Sequence, residues 1–165
     1  MSLLTQRTTR PIRVLMIEDN REDAVLIKIA FNKLNRPIQM TLVNDGQAVI
    51  AYLKGREKIH TLHPFDIIFL DLNIPGKPGL EVLAEIRADA AFDEIPVIIL
   101  TGSDSNEHIR GAYDSRANFY IQKPGNLDGF LEAMRHVEDI WLKGIDRSAP
   151  VLTLSEKGEK AHEPI

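Results

Sequence analysis

Five short, largely apolar runs alternate along the chain with longer stretches of helical periodicity, and this alternation restricts the fold more than any other feature. The runs fall at residues 12–17, 40–43, 67–70, 97–100 and 119–121. Because polar and apolar residues do not alternate within them, they predict strands buried on both faces. Strands of that kind are typical of a parallel sheet that is covered by helices on each side.

The stretches between the runs place apolar residues three or four positions apart, as amphipathic helices do. The clearest stripes are Ile27-Ala30-Phe31-Leu34 and a longer series from Leu127 to Trp141. Asp104 and Glu107 resemble a capping box at the start of the fourth helix. Strand and helix in regular alternation predict an α/β fold, a doubly wound (βα)5 sandwich, and right-handed crossovers leave few strand orders open.

The length of 165 residues suits one domain. We predict an N-terminal tail over residues 1–11, a single domain over residues 12–143 and a C-terminal extension over residues 144–165. The extension is polar apart from one apolar patch at residues 151–154. It is too short to form an output domain of its own.

Composition excludes several classes of function. There is no cysteine, so disulfide frameworks, cysteine-ligated zinc and thiol catalysis are ruled out. The net charge is −4, and the basic cluster of Arg7, Arg10 and Arg13 is interpreted as a solvated tail rather than a nucleic-acid site. Without an apolar run of roughly 18 residues or a secretory signal, we expect a cytoplasmic protein with neither a nucleic-acid nor a membrane partner.

Unusual polar residues stand just after the carboxyl ends of four predicted strands. Glu18 and Asp19 follow the first strand, Asp71 the third, Thr101 the fourth and Lys123 the fifth. Open α/β sheets bind ligands beyond the carboxyl ends of their strands, where the strand order reverses. If the order is 2-1-3-4-5, the first and third strands are neighbours, and the three carboxylates converge.

Three carboxylates in one crevice repel each other, and some would take up protons unless a cation lay among them. Oxygen ligands with room for water and phosphate favour Mg²⁺. Such an ion would neutralise an incoming phosphoryl group. Asp71 stands alone at its strand end and is the candidate nucleophile, while Lys123 and the Thr101 hydroxyl could each contact a phosphate oxygen.

Taken together, these motifs resemble the receiver domains of two-component response regulators, in the CheY-like superfamily. The matching pieces are residues 17–20 (Ile-Glu-Asp-Asn), 70–76 (Leu-Asp-Leu-Asn-Ile-Pro-Gly), 99–103 (Ile-Leu-Thr-Gly-Ser) and 120–124 (Tyr-Ile-Gln-Lys-Pro). Any one of them would be weak evidence, but all occur in the family's order and spacing. The resemblance implies a flavodoxin-like fold with sheet order 2-1-3-4-5, and a histidine kinase as the phosphoryl donor.

The same resemblance implies roles for individual residues. Asp71 would be the phosphoacceptor, and Glu18 and Asp19 would bind Mg²⁺ together with Asp71 and the backbone carbonyl of Asn73. Thr101 and Tyr120 would form the switch pair. Lys123 would contact the phosphoryl group, and its bond to Pro124 would be the cis peptide that the family usually has.

A narrower resemblance points to the small regulators paired with bacterial phytochromes. It rests on Asn73, on the long connection over residues 56–64, and on the helix end Ile140-Trp141-Leu142. It implies a receiver without an output domain, a phytochrome-type histidine kinase, and a homodimer formed through the fourth helix, fifth strand and fifth helix.

Two alternatives from other classes remain at this point. A hydrolase of the haloacid dehalogenase type also uses an aspartyl nucleophile, but it needs a second Asp two residues later, where this chain has Asn73. A receiver that no longer accepts phosphate would be an interaction module only. We otherwise expect a signalling protein that catalyses nothing beyond its own phosphorylation and dephosphorylation.

Overall fold

The computed structural model describes residues 10–57 and 65–143. The strands are β1 (Ile12–Ile17), β2 (Ile38–Val43), β3 (Ile67–Leu70), β4 (Val97–Thr101) and β5 (Phe119–Gln122). The helices are α1 (Arg21–Lys33), α2 (Gly46–Glu57), α3 (Gly79–Ala88), α4 (Asn106–Asp114) and α5 (Leu127–Val137). A 3₁₀ turn (Ala90–Phe92) follows α3, and a π-helical turn (Glu138–Leu142) continues α5. Most of the predicted N-terminal tail and all of the C-terminal extension lie outside the described residues.

All strand pairs are parallel, and the sheet order is β2-β1-β3-β4-β5. The predicted doubly wound fold and strand order are therefore confirmed. β2 begins two residues before the predicted run, because its pairing with β1 extends back to Ile38 opposite Ile12. Because Gln39 is polar, the apolar run starts at Met40 and does not indicate that the strand begins at Ile38.

Each face of the sheet carries its own hydrophobic core. On one face Leu15, Ile68 and Ile99 pack with residues of α2 and α3 such as Leu83. On the other face Met16, Phe69 and Leu100 pack with the apolar stripes of α1 and α5. Because β1, β3 and β4 are buried on both sides, their sequences are largely apolar, as predicted; the exceptions are the half-buried Arg13 in β1 and Thr101 at the end of β4.

Side-chain caps fix where the helices near the strand ends begin. The Asn20 side chain accepts a hydrogen bond from the Glu22 N–H at 3.0 Å and starts α1. At α4 the N-cap is Ser105, whose hydroxyl accepts from the His108 N–H at 3.4 Å. The predicted capping box at Asp104 was wrong by one residue, because the chain is still extended at Ser105 and turns helical only at Asn106.

The basic residues near the amino end are not merely a solvated tail, as the sequence suggested. Arg10 donates two hydrogen bonds to the Asp66 carboxylate, at 2.7 and 3.0 Å. The Arg13 backbone N–H donates a third at 2.8 Å, and the Asp66 side chain is only 8% exposed. These contacts tie β1 to the residue that precedes β3. Arg7 lies outside the described residues.

Within residues 10–57 and 65–143, no helix has the length and apolar character needed to cross a bilayer.

Candidate functional site

The site lies where β1 and β3 end side by side. Ile17 pairs with Leu70 in the sheet, and the Asp71 N–H donates to the Ile17 carbonyl at 2.9 Å. The residues that follow the two strands therefore emerge together. Glu18, Asp19 and Asp71 each place one carboxylate oxygen within 4.8 Å of the others. The predicted convergence of these three side chains is present in the structure.

Burial differs sharply among the three carboxylates. Glu18 is 1% exposed and Asp71 is 4% exposed, whereas Asp19 is exposed to solvent. Local backbone donors hold the two buried groups. The Asn20 N–H donates to Glu18 Oε1 at 2.9 Å, and the Asn73 N–H donates to Asp71 Oδ1 at 3.0 Å.

Lys123 brings the compensating positive charge from the end of β5. Its Nζ lies 2.8 Å from Glu18 Oε2, 2.8 Å from Asp71 Oδ2 and 2.7 Å from Asp23 Oδ2. Its backbone N–H donates to the Thr101 carbonyl at 2.7 Å, which fixes the chain at this point. No peptide bond in the described residues is cis, so the expectation of a cis bond before Pro124 was wrong. Contacts with the three carboxylates, rather than a cis peptide, aim the ammonium group.

The two buried carboxyl groups have pKa values that move in opposite directions. Burial raises the pKa of Glu18 to about 7, and the charge of Asp71 acts in the same direction. Hydrogen bonds from Lys123 and Asn20 oppose this rise but do not cancel it. Burial also acts to raise the pKa of Asp71, but hydrogen bonds from Lys123, Asn73 and Thr101 outweigh it and leave that pKa below its ordinary value. Of these two groups, Asp71 is consequently the one that stays ionised more readily.

Thr101 and Tyr120 lie beside this carboxylate cluster on neighbouring strands. Thr101 is fully buried at the end of β4, where it helps to lower the pKa of Asp71, and its hydroxyl accepts a hydrogen bond from the Ser103 N–H at 3.5 Å. The Tyr120 hydroxyl donates to the Ser103 carbonyl at 2.8 Å, which connects β5 to the loop after β4. Thr101 and Tyr120 are thus both hydrogen-bonded to the Ser103 backbone in that loop.

Two further residues, Asp23 and His108, take part in this region and were not predicted from the sequence. Asp23, in the first turn of α1, pairs with Lys123, although an acidic residue there would ordinarily be attributed to the helix dipole. His108 Nδ1 lies 2.7 Å from the Ser103 hydroxyl and so braces the same loop. Their spacing in the sequence carries no signal, because both contacts depend on how helices meet strand ends.

The donor set at the site is made entirely of oxygen atoms, which suits a hard divalent cation such as Mg²⁺. Two buried carboxylates and one exposed carboxylate would supply a few protein ligands and leave the solvent side open. That arrangement matches the way Mg²⁺ keeps water and takes phosphate oxygens. The residues present therefore fit the cation predicted from the sequence.

Comparison with known protein families settles the class of protein. Residues 14–135 match the response regulator receiver domain family. The chain belongs to that family. The hydrolase alternative is accordingly not supported.

Among curated receiver-family relatives, two are similar over most of their length. The response regulator Rcp1 of a Synechocystis species is 28% identical over 142 residues, which cover 86% of this chain and 97% of Rcp1. A probable methanogenesis regulatory protein of Methanothrix harundinacea, FilR2, is 33% identical over 138 residues, which cover 84% of this chain and 88% of FilR2.

Solved structures of receivers show the same fold. The phosphorylated cyanobacterial phytochrome response regulator RcpA superposes with a TM-score of 0.73 at 34% identity, covering 82% of this chain and 97% of RcpA. The Mn²⁺-bound form of Rcp1 superposes with a TM-score of 0.71 at 30% identity, covering 84% of this chain and all of that chain (100%).

Proposed function

We propose that this chain is a single-domain response regulator in which Asp71 accepts a phosphoryl group from a histidine kinase in a Mg²⁺-dependent reaction. One observation carries the proposal. Asp71, buried and with a depressed pKa, is held by Asn73 and Lys123 beside the two acidic residues Glu18 and Asp19. In this proposal the receiver domain is residues 12–143, preceded by an N-terminal tail over residues 1–11 and followed by a C-terminal extension over residues 144–165.

The residues around Asp71 divide the chemistry between them. A carboxylate oxygen of Asp71 forms a bond to phosphorus as the bond from phosphorus to the histidine nitrogen of the donor breaks. Glu18, Asp19, Asp71 and the backbone carbonyl of Asn73 would hold the cation. When bound, Mg²⁺ supplies charge that offsets the negative phosphoryl oxygens. Lys123 and the Thr101 hydroxyl each contact one of those oxygens.

Phosphorylation would then act on the surface through the switch pair. A Thr101 hydroxyl drawn toward a phosphoryl group would pull on the loop after β4, because the Ser103 N–H donates to that hydroxyl. Tyr120 is bonded to that loop at the Ser103 carbonyl and would move with it. The bound phosphoryl group shifts the equilibrium between two arrangements of one surface, and output follows from protein contacts.

The direct test is phosphorylation by a small donor. The protein is incubated with phosphoramidate with and without Mg²⁺, and the intact mass is measured for wild type and for Asp71→Asn. We expect a gain of one phosphoryl group that is acid-stable and base-labile and that requires both Mg²⁺ and Asp71. No gain in a folded wild-type protein would contradict the proposal and favour a receiver that acts only by binding.

The proposed kinase partner is of the phytochrome type. The support is the similarity to RcpA, described as a phytochrome response regulator. The test is phosphotransfer from a purified, radiolabelled bacterial phytochrome kinase, with an unrelated histidine kinase as control. Equal transfer rates from the two kinases would contradict the choice of partner while leaving the role of Asp71 intact.

A homodimer through α4, β5 and α5 is the second part of the partner proposal. β5 is an edge strand, and Phe119, Ile121 and Ala133 line a shallow groove between it and α5. On α4, Tyr113 is 45% exposed. Sedimentation velocity with and without phosphorylation tests the dimer, and a monomer under both conditions would exclude it. The cytoplasmic location and the absence of a nucleic-acid partner remain predictions.

A further inference from the structure

The ammonium group of Lys123 lies among three carboxylates, and one of them stands outside the acidic cluster. Glu18 and Asp71 belong to the group that could hold a cation, but Asp23 does not. Asp23 approaches from the first turn of α1, with its Oδ2 2.7 Å from Lys123 Nζ and its side chain 14% exposed. This contact is as short as either of the other two.

Lys123 and a divalent cation compete for the same carboxylates. The lysine pairs with Glu18 Oε2 and Asp71 Oδ2, each at 2.8 Å. A cation bound by Glu18 and Asp71 would take electron density from those oxygens and would repel the ammonium group. Both contacts must therefore weaken when the cation binds. The contact with Asp23 can persist, because that carboxylate is not a member of the cluster.

We propose that Asp23 is a positioning residue that holds Lys123 at the edge of the crevice while the cation occupies the cluster. Asp23 thereby raises the affinity for Mg²⁺, since the lysine has an alternative partner. It also keeps the ammonium within reach of a phosphoryl group on Asp71, and this second consequence rests on the proposed function. Without Asp23, the lysine would pair only with Glu18 and Asp71.

A plainer role for Asp23 is a favourable interaction with the amino-terminal end of α1. Glu22 offers a matched control, because it is an exposed acidic residue in the same turn. Among the described residues, the ion pairs of Lys123 are those with Glu18, Asp23 and Asp71. A helix-dipole or general charge effect should appear in both Glu22→Gln and Asp23→Asn, whereas an effect through Lys123 should appear only in the second.

The main experiment is calorimetric titration of the full chain with Mg²⁺, which needs no phosphorylation. Asp23→Asn keeps the size of the side chain, and we expect it to weaken Mg²⁺ affinity by about tenfold, as coupled charges in contact can do. Glu22→Gln should change the affinity by less than about twofold. Lys123→Met should tighten binding, because the competitor is gone. In the Lys123→Met background, Asp23→Asn should have no more effect than Glu22→Gln.

The double-mutant comparison decides the proposal. An equal loss of affinity from Asp23→Asn in both backgrounds would show that Asp23 acts without Lys123 and would overturn it. No loss in either background would overturn it as well. Thermal unfolding of each variant shows whether the fold is retained, and Asp23→Glu, which restores the charge, should recover part of the affinity.

A kinetic readout separates this inference from the proposed function. At saturating Mg²⁺, Asp23→Asn should lower the maximal rate of Asp71 phosphorylation by phosphoramidate by about fivefold or more, with the half-saturating donor concentration little changed. A wild-type rate in Asp23→Asn would overturn the positioning role. If wild type itself takes no phosphoryl group, the proposed function fails, while the Mg²⁺ titrations still test the link between Asp23 and Lys123.

Discussion

At the scale of single residues, burial separates ion pairs that look alike in the sequence. Asp66 and Asp139 both pair with basic side chains, and both have a pKa below the ordinary value. The Asp66 side chain is 8% exposed and receives hydrogen bonds from two arginines, whereas Asp139 is 51% exposed and pairs with Lys143 one helical turn away. Water screens the second pair and not the first.

Asp66→Asn should therefore lower the free energy of unfolding by about 2 kcal/mol at pH 7. Burial alone would raise the pKa of Asp66, but Arg10 and Arg13 lower it below the ordinary 3.8. The carboxylate thus stabilises the fold above that pH, and the contribution disappears as the pH falls through the depressed pKa. Urea unfolding at a series of pH values should show the difference between wild type and variant shrinking below about pH 4.

Asp139→Asn is the matched control, and we expect no measurable change in stability from it because the pair is exposed. A pH-independent difference for Asp66→Asn would mean that the variant acts through packing and not through the charge.

Arg87 is a buried cation that donates hydrogen bonds to three neutral acceptors. It is 7% exposed and donates to the carbonyls of Arg116 and Phe92 and to Asn118 Oδ1. Arg87→Met should cost about 3 kcal/mol of unfolding free energy, since three acceptors lose their donor in a largely dry setting. Arg110→Met on the exposed side of α4 is the control, and equal effects in urea unfolding would refute the argument.

At the scale of elements, two helical glycines should respond in opposite ways when they are replaced by alanine. A Cβ on Gly79 would meet the Leu72 Cα at 2.4 Å and the Asp71 carbonyl oxygen at 2.8 Å. The start of α3 therefore packs directly on the loop that carries Asp71. Gly55, inside α2, has no atom within 4 Å of such a Cβ. One helix needs its glycine for a close approach, and the other does not.

Gly79→Ala should destabilise the protein by about 2 kcal/mol, because backbone and not a flexible side chain must move. It should also slow phosphorylation, as the loop after β3 shifts. Gly55→Ala should stabilise α2 by up to about 1 kcal/mol, because alanine is the better helix former. Thermal unfolding of both variants tests the pair, and a stabilised Gly79→Ala would show that the loop yields without cost.

At the scale of the whole molecule, the sheet couples two cores that share no side chains. Leu83 is fully buried on the face covered by α2 and α3. Trp141 packs against the opposite core, with its ring centroid 5.3 Å from that of Phe119. Neither face can retain its packing without the strands between them. We therefore expect one cooperative unfolding transition.

Leu83→Ala should lower the unfolding free energy by about 3 kcal/mol, because it leaves a cavity in a fully buried site. Trp141 fluorescence, which monitors the other face, should show the same shift in midpoint as far-UV circular dichroism. A fluorescence midpoint that stays at the wild-type value would mean that the two faces unfold separately.

The sequence by itself determined the elements and the chemistry at their ends. Largely apolar runs indicate strands that are buried on both faces, and the polar residues after four of the five runs identify Glu18, Asp19, Asp71, Thr101 and Lys123 as site candidates. These are local properties, set by side-chain periodicity and by residue type. The strand order followed only conditionally from local signals, and the family resemblance supplied it before the structure did.

Only the tertiary structure decided which charges meet. Asp23 contacts Lys123, Asp66 contacts Arg10, and Arg36 Nε lies 3.0 Å from Glu138 Oε1, although each pair is far apart in the chain. An acidic residue in a helix looks the same in the sequence whether its side chain faces water or contacts a lysine at the end of a strand. The distances that give such charges their energy exist only after the helices have packed on the sheet, because electrostatic attraction and burial both depend on position in space.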